Sequence, residues 1–182
     1  SKLVTRRDSE TETSSETDEN VIPEPLTSLF DPTAVNLSGI ELRNAARVRY
    51  DEYCRSYTQK DFNNLHKITK KQALNPIWMM HRAGRITASV LGKVFHTDQN
   101  NITNKSLFDI IMQYSSIATN KYLRHGNDYE PIARKFYETI NSKKHINFHV
   151  QNSGFLVNSS YPFLGASTDA VITCDCHPVK LL

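Results

Sequence analysis

Apolar side chains recur at helical spacing through the middle of the chain and give way to short β-branched and aromatic runs towards its end. Leu42, Ala45, Ala46, Arg49, Tyr53 and Tyr57 fall in one register, which predicts a helix to about Cys54. Ser38-Gly39-Ile40-Glu41 fits a capping box at its start, where hydroxyl and carboxylate satisfy backbone donors reciprocally. A second helix is expected from about Asp61 to Ala73. Asn75-Pro76 breaks it, and Pro76 suits the first turn of a short helix carrying Trp78 and His81. After Gly84, Val90, Leu91 and Val94 mark another short helix, capped near Thr87 or Ser89. Leu107, Ile110, Ile111 and Tyr114 make a further stripe. Ile132, Phe136 and Tyr137 place a helix over Pro131 to Ile140, with Glu130 near its start.

The texture then changes. Ile146 to Val150, Phe155 to Val157 and Ala170 to Thr173 read as strands, punctuated by Gly154, Pro162 and Gly165. Helices followed by a small mixed or antiparallel sheet give an α+β or α/β architecture. No internal repeat is visible.

The first residues do not belong to this pattern. Asp8 to Asn20 is almost wholly acidic or hydroxyl-bearing and cannot bury enough apolar surface to offset its ordering entropy. Pro23, Pro25 and Pro32 extend the irregular region to about residue 37. The expected division is therefore a disordered acidic tail over 1–37 and one folded body over 38–182. The chain has 182 residues, enough for one domain with a real core. It holds no run near the roughly 20 apolar residues of a membrane span. Ser1 to Arg7 is followed by acidic residues and no apolar stretch, so no secretory signal is read; the start without Met suggests a fragment or processed form. Three cysteines are too few for a disulfide framework and fit a reducing, intracellular compartment. The net charge of +3 hides an asymmetry: residues 1–40 carry 3 basic and 8 acidic side chains, and the remainder carry 19 and 11. A basic body suits an anionic partner such as nucleic acid, or serves solubility alone.

Two groups of residues could carry chemistry. Arg82 and Arg85 beside the hydroxyls of Thr87 and Ser89, at a helix start, would converge on a phosphate; the plainer alternative is a capped helix with two solvated arginines. Glu130 and Asp169, from separate elements, could share a hard divalent cation with oxygen ligands. The plainer alternative there is a helix-dipole contact for Glu130 and an Asx turn at Asp169. Cys174-x-Cys176-His177 invites a zinc reading, but a tetrahedral site needs four ligands and no second cysteine pair exists. A hairpin tip that happens to hold cysteines is the expectation, with the seven histidines as surface or packing residues.

Three stretches taken in order carry more than any cluster alone: NPIWMMHRAGRITASVLGKVF (75–95), RHGNDYEPIARKFYE (124–138) and GFLVNSSYPFLGASTDAVI (154–172). With them the chain, from about Leu65 to its last residue, resembles the YqaJ-type viral recombinase family of lambda-exonuclease-like nucleases. The resemblance implies a restriction-endonuclease-like PD-(D/E)xK core, present here in part over 38–182. It implies that Arg82 and Ser89 hold the 5′-phosphate of a DNA end, with Trp78 packing beside them and Arg85 and Thr87 in support. It implies Glu130 and Asp169 as ligands of Mg²⁺ or Mn²⁺. Ser167-Thr168-Asp169-Ala170 stands where the family favours Ser-Pro-Asp-Gly, and His125 where an aromatic Trp or Tyr is usual.

The family also requires a Glu-x-Lys on the next strand, and none occurs here: Lys180 follows Pro178 at that spacing. Leu181-Leu182 looks like the start of the strand that would bear it. The implied activity is metal-dependent exonucleolytic hydrolysis at double-stranded DNA ends, in recombination or repair, with this chain expected to hydrolyse DNA very poorly. The alternatives are a non-catalytic DNA-end-binding module and a helical interaction protein whose acidic tail recruits an unidentified partner. The family includes ring-shaped trimers, so homo-oligomerisation belongs to the expectation, as does a nuclear setting for a DNA substrate.

Overall fold

In the computed structural model, residues 21–98, 104–114 and 121–182 are described; the acidic run expected to be disordered, 8–20, lies outside them. Helix α1 (Gly39–Ser56) begins at the capping box. Glu41 N–H donates to the Ser38 hydroxyl at 3.4 Å, and Ser38 N–H donates to the Glu41 carboxylate at 2.9 Å. Helix α2 (Gln59–Ile68) starts earlier than expected because the Thr58 N–H and hydroxyl both donate to Asp61, each at 2.8 Å.

Helix α2 also stops earlier than the Asp61–Ala73 reading, and the cause is tertiary. Thr69 is fully buried; its hydroxyl donates to the Leu65 carbonyl at 2.7 Å and accepts the Phe155 N–H at 2.8 Å. The residue that would extend the helix instead satisfies a strand. Gln72 then adopts a φ of 44° and opens a single 3-10 turn, Gln72–Leu74.

Helix α3 (Pro76–Arg82) is capped by the Asn75 side chain, which accepts the Ile77 N–H at 2.9 Å. Strand β1 (Ile86–Thr87) leads directly into α4 (Ala88–Phe95), and α5 (Lys105–Ile111) follows. Helix α6 (Lys121–Asn141) corrects the sequence reading: Pro131 lies inside it, not at its first turn, so Glu130 is mid-helix and cannot complement the N-terminal dipole. Pro131 is exposed. The ring therefore removes one backbone donor at the surface without ending the helix.

Among the described residues, six short strands make two three-stranded sheets. Strand β4 (Leu164–Ser167) is central to the first, parallel to β1 and antiparallel to β3 (Phe155–Leu156). Strand β5 (Ala170–Cys174) is central to the second, antiparallel to β2 (His149–Asn152) and to β6 (His177–Leu181). The strand expected to begin at Leu181 thus begins at His177. Its Pro178 is accommodated because β6 is an edge and its register shifts against β5 between Ile172 and Cys174. Past β6 the pairing continues: Leu182 N–H donates to Ala170 O at 2.9 Å, and Asp169 N–H donates to Leu182 O at 3.0 Å. Two short links join the sheets: residues 153 and 154 between β2 and β3, and residues 168 and 169 between β4 and β5.

The core is Tyr53, Phe62, Leu65, Phe155 and Val157, with Leu26, Leu29, Tyr57, Ile77 and Trp78 packed against it. The presence of Leu26 and Leu29 there revises the expected boundary at residue 38. Residues 21–37 form two 3-10 turns, bury Pro23, and are strapped to α1 and α2: Tyr53 Oη donates to Glu24 O at 2.8 Å and Asn64 Nδ2 to Val21 O at 3.0 Å. Three prolines restrict this segment before it docks, which lowers its ordering entropy.

Strand β3 presses on the end of α2 so closely that a Cβ at Gly154 would lie 1.9 Å from His66 O. Gly154→Ala is expected to cost about 3 kcal/mol, measured by urea unfolding; unchanged stability would contradict the close approach.

Candidate functional site

The residues singled out above are ordered along one line, β4 and the two residues after it. Thr87 pairs with Gly165. Trp78 Nε1 donates to the Ser167 hydroxyl at 2.9 Å. Asp169 follows immediately before β5. Thr87 thus sits beside Gly165, whereas Trp78, which carries Arg82 on its ring, meets β4 at Ser167, two residues before Asp169.

The Arg82 guanidinium lies over the Trp78 ring, 4.3 Å from its centroid. This is cation–π geometry. Arg82 is half-buried, and desolvation lowers its pKa. Among the described residues it donates no hydrogen bond. Ser89 is exposed in the first turn of α4, its hydroxyl 3.1 Å from that of Thr87. No hydrogen bond joins Arg82 to Ser89 among the described residues. Thr87, but neither Arg82 nor Ser89, lines a groove of about 480 Å³ between α4, β3 and β4.

Arg85 corrects the sequence reading most plainly, because it is neither a phosphate ligand nor solvated. It has no exposure at all. Its Nε donates to Pro162 O at 2.9 Å, Nη1 to His81 O at 2.5 Å and Nη2 to the Tyr53 hydroxyl at 2.9 Å, while its carbon sits 5.9 Å from the Phe155 ring centroid. Its support of the site is mechanical: it joins α1, α3 and the loop before β4. The buried His81 beside it has its pKa pushed down to about 4, first by desolvation and then by the Arg85 charge. Burial likewise raises the Tyr50 hydroxyl to about 12 and that of Tyr53 in the same direction.

Glu130 and Asp169 come together through a residue the sequence reading passed over. Arg134 Nη2 donates to Glu130 Oε1 at 2.8 Å and also to the main-chain oxygen of Asp169, while Nη1 donates to Asn152. A glutamate four residues before an arginine on a helix is the signal that could have found this pair. The donors fit a hard divalent cation in kind: two carboxylates, with water and substrate phosphate completing its shell. The Arg134 guanidinium is ion-paired with the Glu130 carboxylate and meets Asp169 through its main-chain oxygen. A small cleft beside it is lined by Glu130, Arg134, Glu138 and Asn152.

A family model, the YqaJ-like viral recombinase domain, matches residues 77–182, more than half of the chain and every site residue named above. This chain belongs to that family. The resemblance read from the three motifs is borne out, and with it the restriction-endonuclease-like α+β fold. The YqaJ-like domain is a recombination-related nuclease family, so DNA binding and a divalent metal are properties of the group. The chain is 29% identical over 119 residues to an uncharacterized protein of Acanthamoeba polyphaga mimivirus, a stretch that covers 65% of this chain and 20% of that protein. The YqaJ-like chain thus spans about a fifth of this relative's length. No solved structure matches. No helix among the described residues is long and apolar enough to cross a membrane.

The depressed His81 pKa has a signed consequence. The unfolded chain takes up this proton near 6.5 and the folded one only near 4. Stability present above pH 6.5 is therefore lost as the pH falls towards 4, by about 3 kcal/mol from this residue. Urea unfolding across that window is expected to show the loss in the parent and a flatter profile in His81→Leu; parallel profiles would contradict the assignment.

Proposed function

We propose that this YqaJ-like domain recognises the 5′-phosphorylated end of double-stranded DNA and is the end-binding, acid-bearing part of a metal-dependent exonuclease acting in recombination or repair, wherever in the cell such DNA ends arise. The observation that carries the reading is Arg82. A guanidinium half-removed from water, with no acceptor of its own, is costly. It is held on Trp78, whose N–H is anchored to Ser167 two residues before Asp169. An anion is the partner that offsets its desolvation, and a terminal phosphate offers two oxygens to a guanidinium fork.

In this reading Arg82 donates to the terminal phosphate and the exposed Ser89 hydroxyl donates a further bond. Trp78 fixes the guanidinium plane, and Arg85 and Thr87 hold the frame. Glu130 and Asp169 would hold Mg²⁺ or Mn²⁺. The cation, when bound, polarises the scissile phosphate and lowers the pKa of an attacking water. Arg134 must release Glu130 for that to happen, and the phosphate that arrives with DNA is the natural new acceptor for its guanidinium. The basic body tracks the backbone with little base preference and strong salt dependence.

One observation favours a second reading, a DNA-end-binding module without catalysis. Arg134 is already ion-paired with the Glu130 carboxylate and bonded to the main-chain oxygen of Asp169. Saturable Mn²⁺ binding that is lost in Asp169→Asn supports the nuclease reading. Mn²⁺ binding that emerges only in Arg134→Met supports the module.

Both readings share one test. Fluorescence anisotropy is expected to show the 182-residue chain binding 5′-phosphorylated duplex about 10- to 100-fold more tightly than 5′-hydroxyl duplex, the range of a charge-assisted hydrogen bond. Arg82→Ala is expected to erase the difference and leave 5′-hydroxyl binding intact. Equal affinity of the parent for the two ends would contradict the proposal.

A further inference from the structure

At the far end of the β5–β6 hairpin from Asp169, four side chains converge that the nuclease reading does not use. Cys174 closes β5, His177 opens β6 directly opposite it, and Cys176 lies in the two-residue turn between them. The fourth is His145, from the turn that joins α6 to β2. The sequence argument, that no second cysteine pair exists, still holds, but a histidine supplies the fourth possible ligand. The missing ligand lies 31 residues before Cys176 and arrives by folding, so no local spacing announces it.

The distances are those of a coordination shell. His145 Nδ1 lies 3.2 Å from Cys176 Sγ, the two sulfurs are 3.5 Å apart, and Cys174 Sγ is 3.7 Å from His177 Nδ1. All four ligand atoms lie within 4.8 Å of one another. A tetrahedron with Zn–S near 2.3 Å and Zn–N near 2.0–2.1 Å has edges of about 3.3–3.8 Å. The two histidine–cysteine contacts, 3.2 and 3.7 Å, bracket the sulfur–sulfur contact of 3.5 Å, which points to one ion and not to a two-metal cluster with its ligand pairs apart. The donors are two thiols and two imidazoles, with no carboxylate among them. That softness selects zinc over the magnesium suited to Glu130 and Asp169.

The surroundings hold the shell in place. Asp175 N–H donates to Ile146 O at 3.0 Å, and Asn147 Nδ2 donates to the Asp175 carboxylate at 2.6 Å, so the hairpin tip is already pinned to the turn that carries His145. Asn147 adopts a φ of 52° to make that turn. The His145 ring stacks on Phe148, 5.4 Å between centroids, which limits its rotation.

We infer that His145, Cys174, Cys176 and His177 form a structural Cys₂His₂ zinc site. Zinc binds with loss of the two thiol protons, and its charge balances the two thiolates. Four protein ligands leave no open position for catalysis. The role is a brace. Strand β6 is exposed along its length and contains Pro178, so its backbone pairing is weak support by itself. Tying its first residue to the α6–β2 turn steadies the hairpin whose other end places Leu182 beside Asp169.

The test uses the whole chain, reduced and metal-free, reconstituted with zinc and desalted. Elemental analysis is expected to give about one zinc per chain, retained in Cys54→Ser and reduced about tenfold or more in Cys174→Ser/Cys176→Ser. Cobalt substitution of the parent gives an independent readout that needs no variant: intense tetrahedral bands in the visible and a thiolate-to-cobalt charge-transfer band. Chelation is expected to lower the parent's melting temperature and to leave that of the double variant unchanged. A parent that binds no zinc, a double variant that keeps it, an octahedral cobalt spectrum without thiolate bands, or a Cys174–Cys176 disulfide that persists under reductant would each overturn the inference.

Discussion

Among the described residues, the architecture depends on one buried cation without a buried anion, Arg85. Arg85 lies between α3 and β1, shut off from water, and distributes its donors over two carbonyl oxygens and a tyrosine hydroxyl. An unpaired buried charge is among the most expensive features a fold can carry. It is tolerated here because carbonyl dipoles, the Tyr53 oxygen and the Phe155 ring face surround it. The same network reaches the N-terminal segment, since Tyr53 passes its own hydrogen on to Glu24. A single guanidinium therefore fixes where α3 ends relative to the loop before β4. That distance decides whether Trp78 can meet Ser167 and whether Arg82 stands near Asp169.

From that frame two chemically different ends emerge on one hairpin. Near Asp169 and Glu130 the donors are oxygens, hard and exposed, with a guanidinium between them. At the tip, some five residues along β5, they are sulfur and imidazole nitrogen. The separation has chemical logic. A soft tetrahedral shell holds its ion and tolerates no turnover, whereas a hard site with few protein ligands exchanges water and phosphate readily. The proposed brace at one end and the proposed metal-binding pair at the other would suit a strand that must stay in register while substrate comes and goes.

Local signals in the sequence were read correctly where the cause is local. The Ser38–Glu41 box, the Asn75-Pro76 break and the strand expected over 170–173, which runs one residue further to Cys174, each depend on neighbours a few residues away. Non-local causes were not legible. Helix α2 ends early because Thr69 serves Phe155, and Pro131 was read as a helix start because nothing in its neighbourhood reveals a helix that passes through it. Both sequence readings of Arg85, phosphate ligand or solvated charge, place it where arginines usually lie, at the surface; only the fold supplies its three acceptors. The parallel β1–β4 pair, two residues long, has no periodicity to detect. Glu130 and Asp169 were identified through the order of family motifs, and Arg134, which joins them, sits at a helical spacing that could have been noticed. His145 had no such sign.

In the proposed function Arg82 and the acid pair serve one DNA end. A crystal structure with a 5′-phosphorylated duplex and Mn²⁺ measures this directly. The terminal phosphate is expected within hydrogen-bond reach of the Arg82 guanidinium and the Ser89 hydroxyl, with the anomalous manganese peak between the Glu130 and Asp169 carboxylates. A phosphate bound on another face, with Arg82 left on Trp78 and no anion near it, would contradict the account.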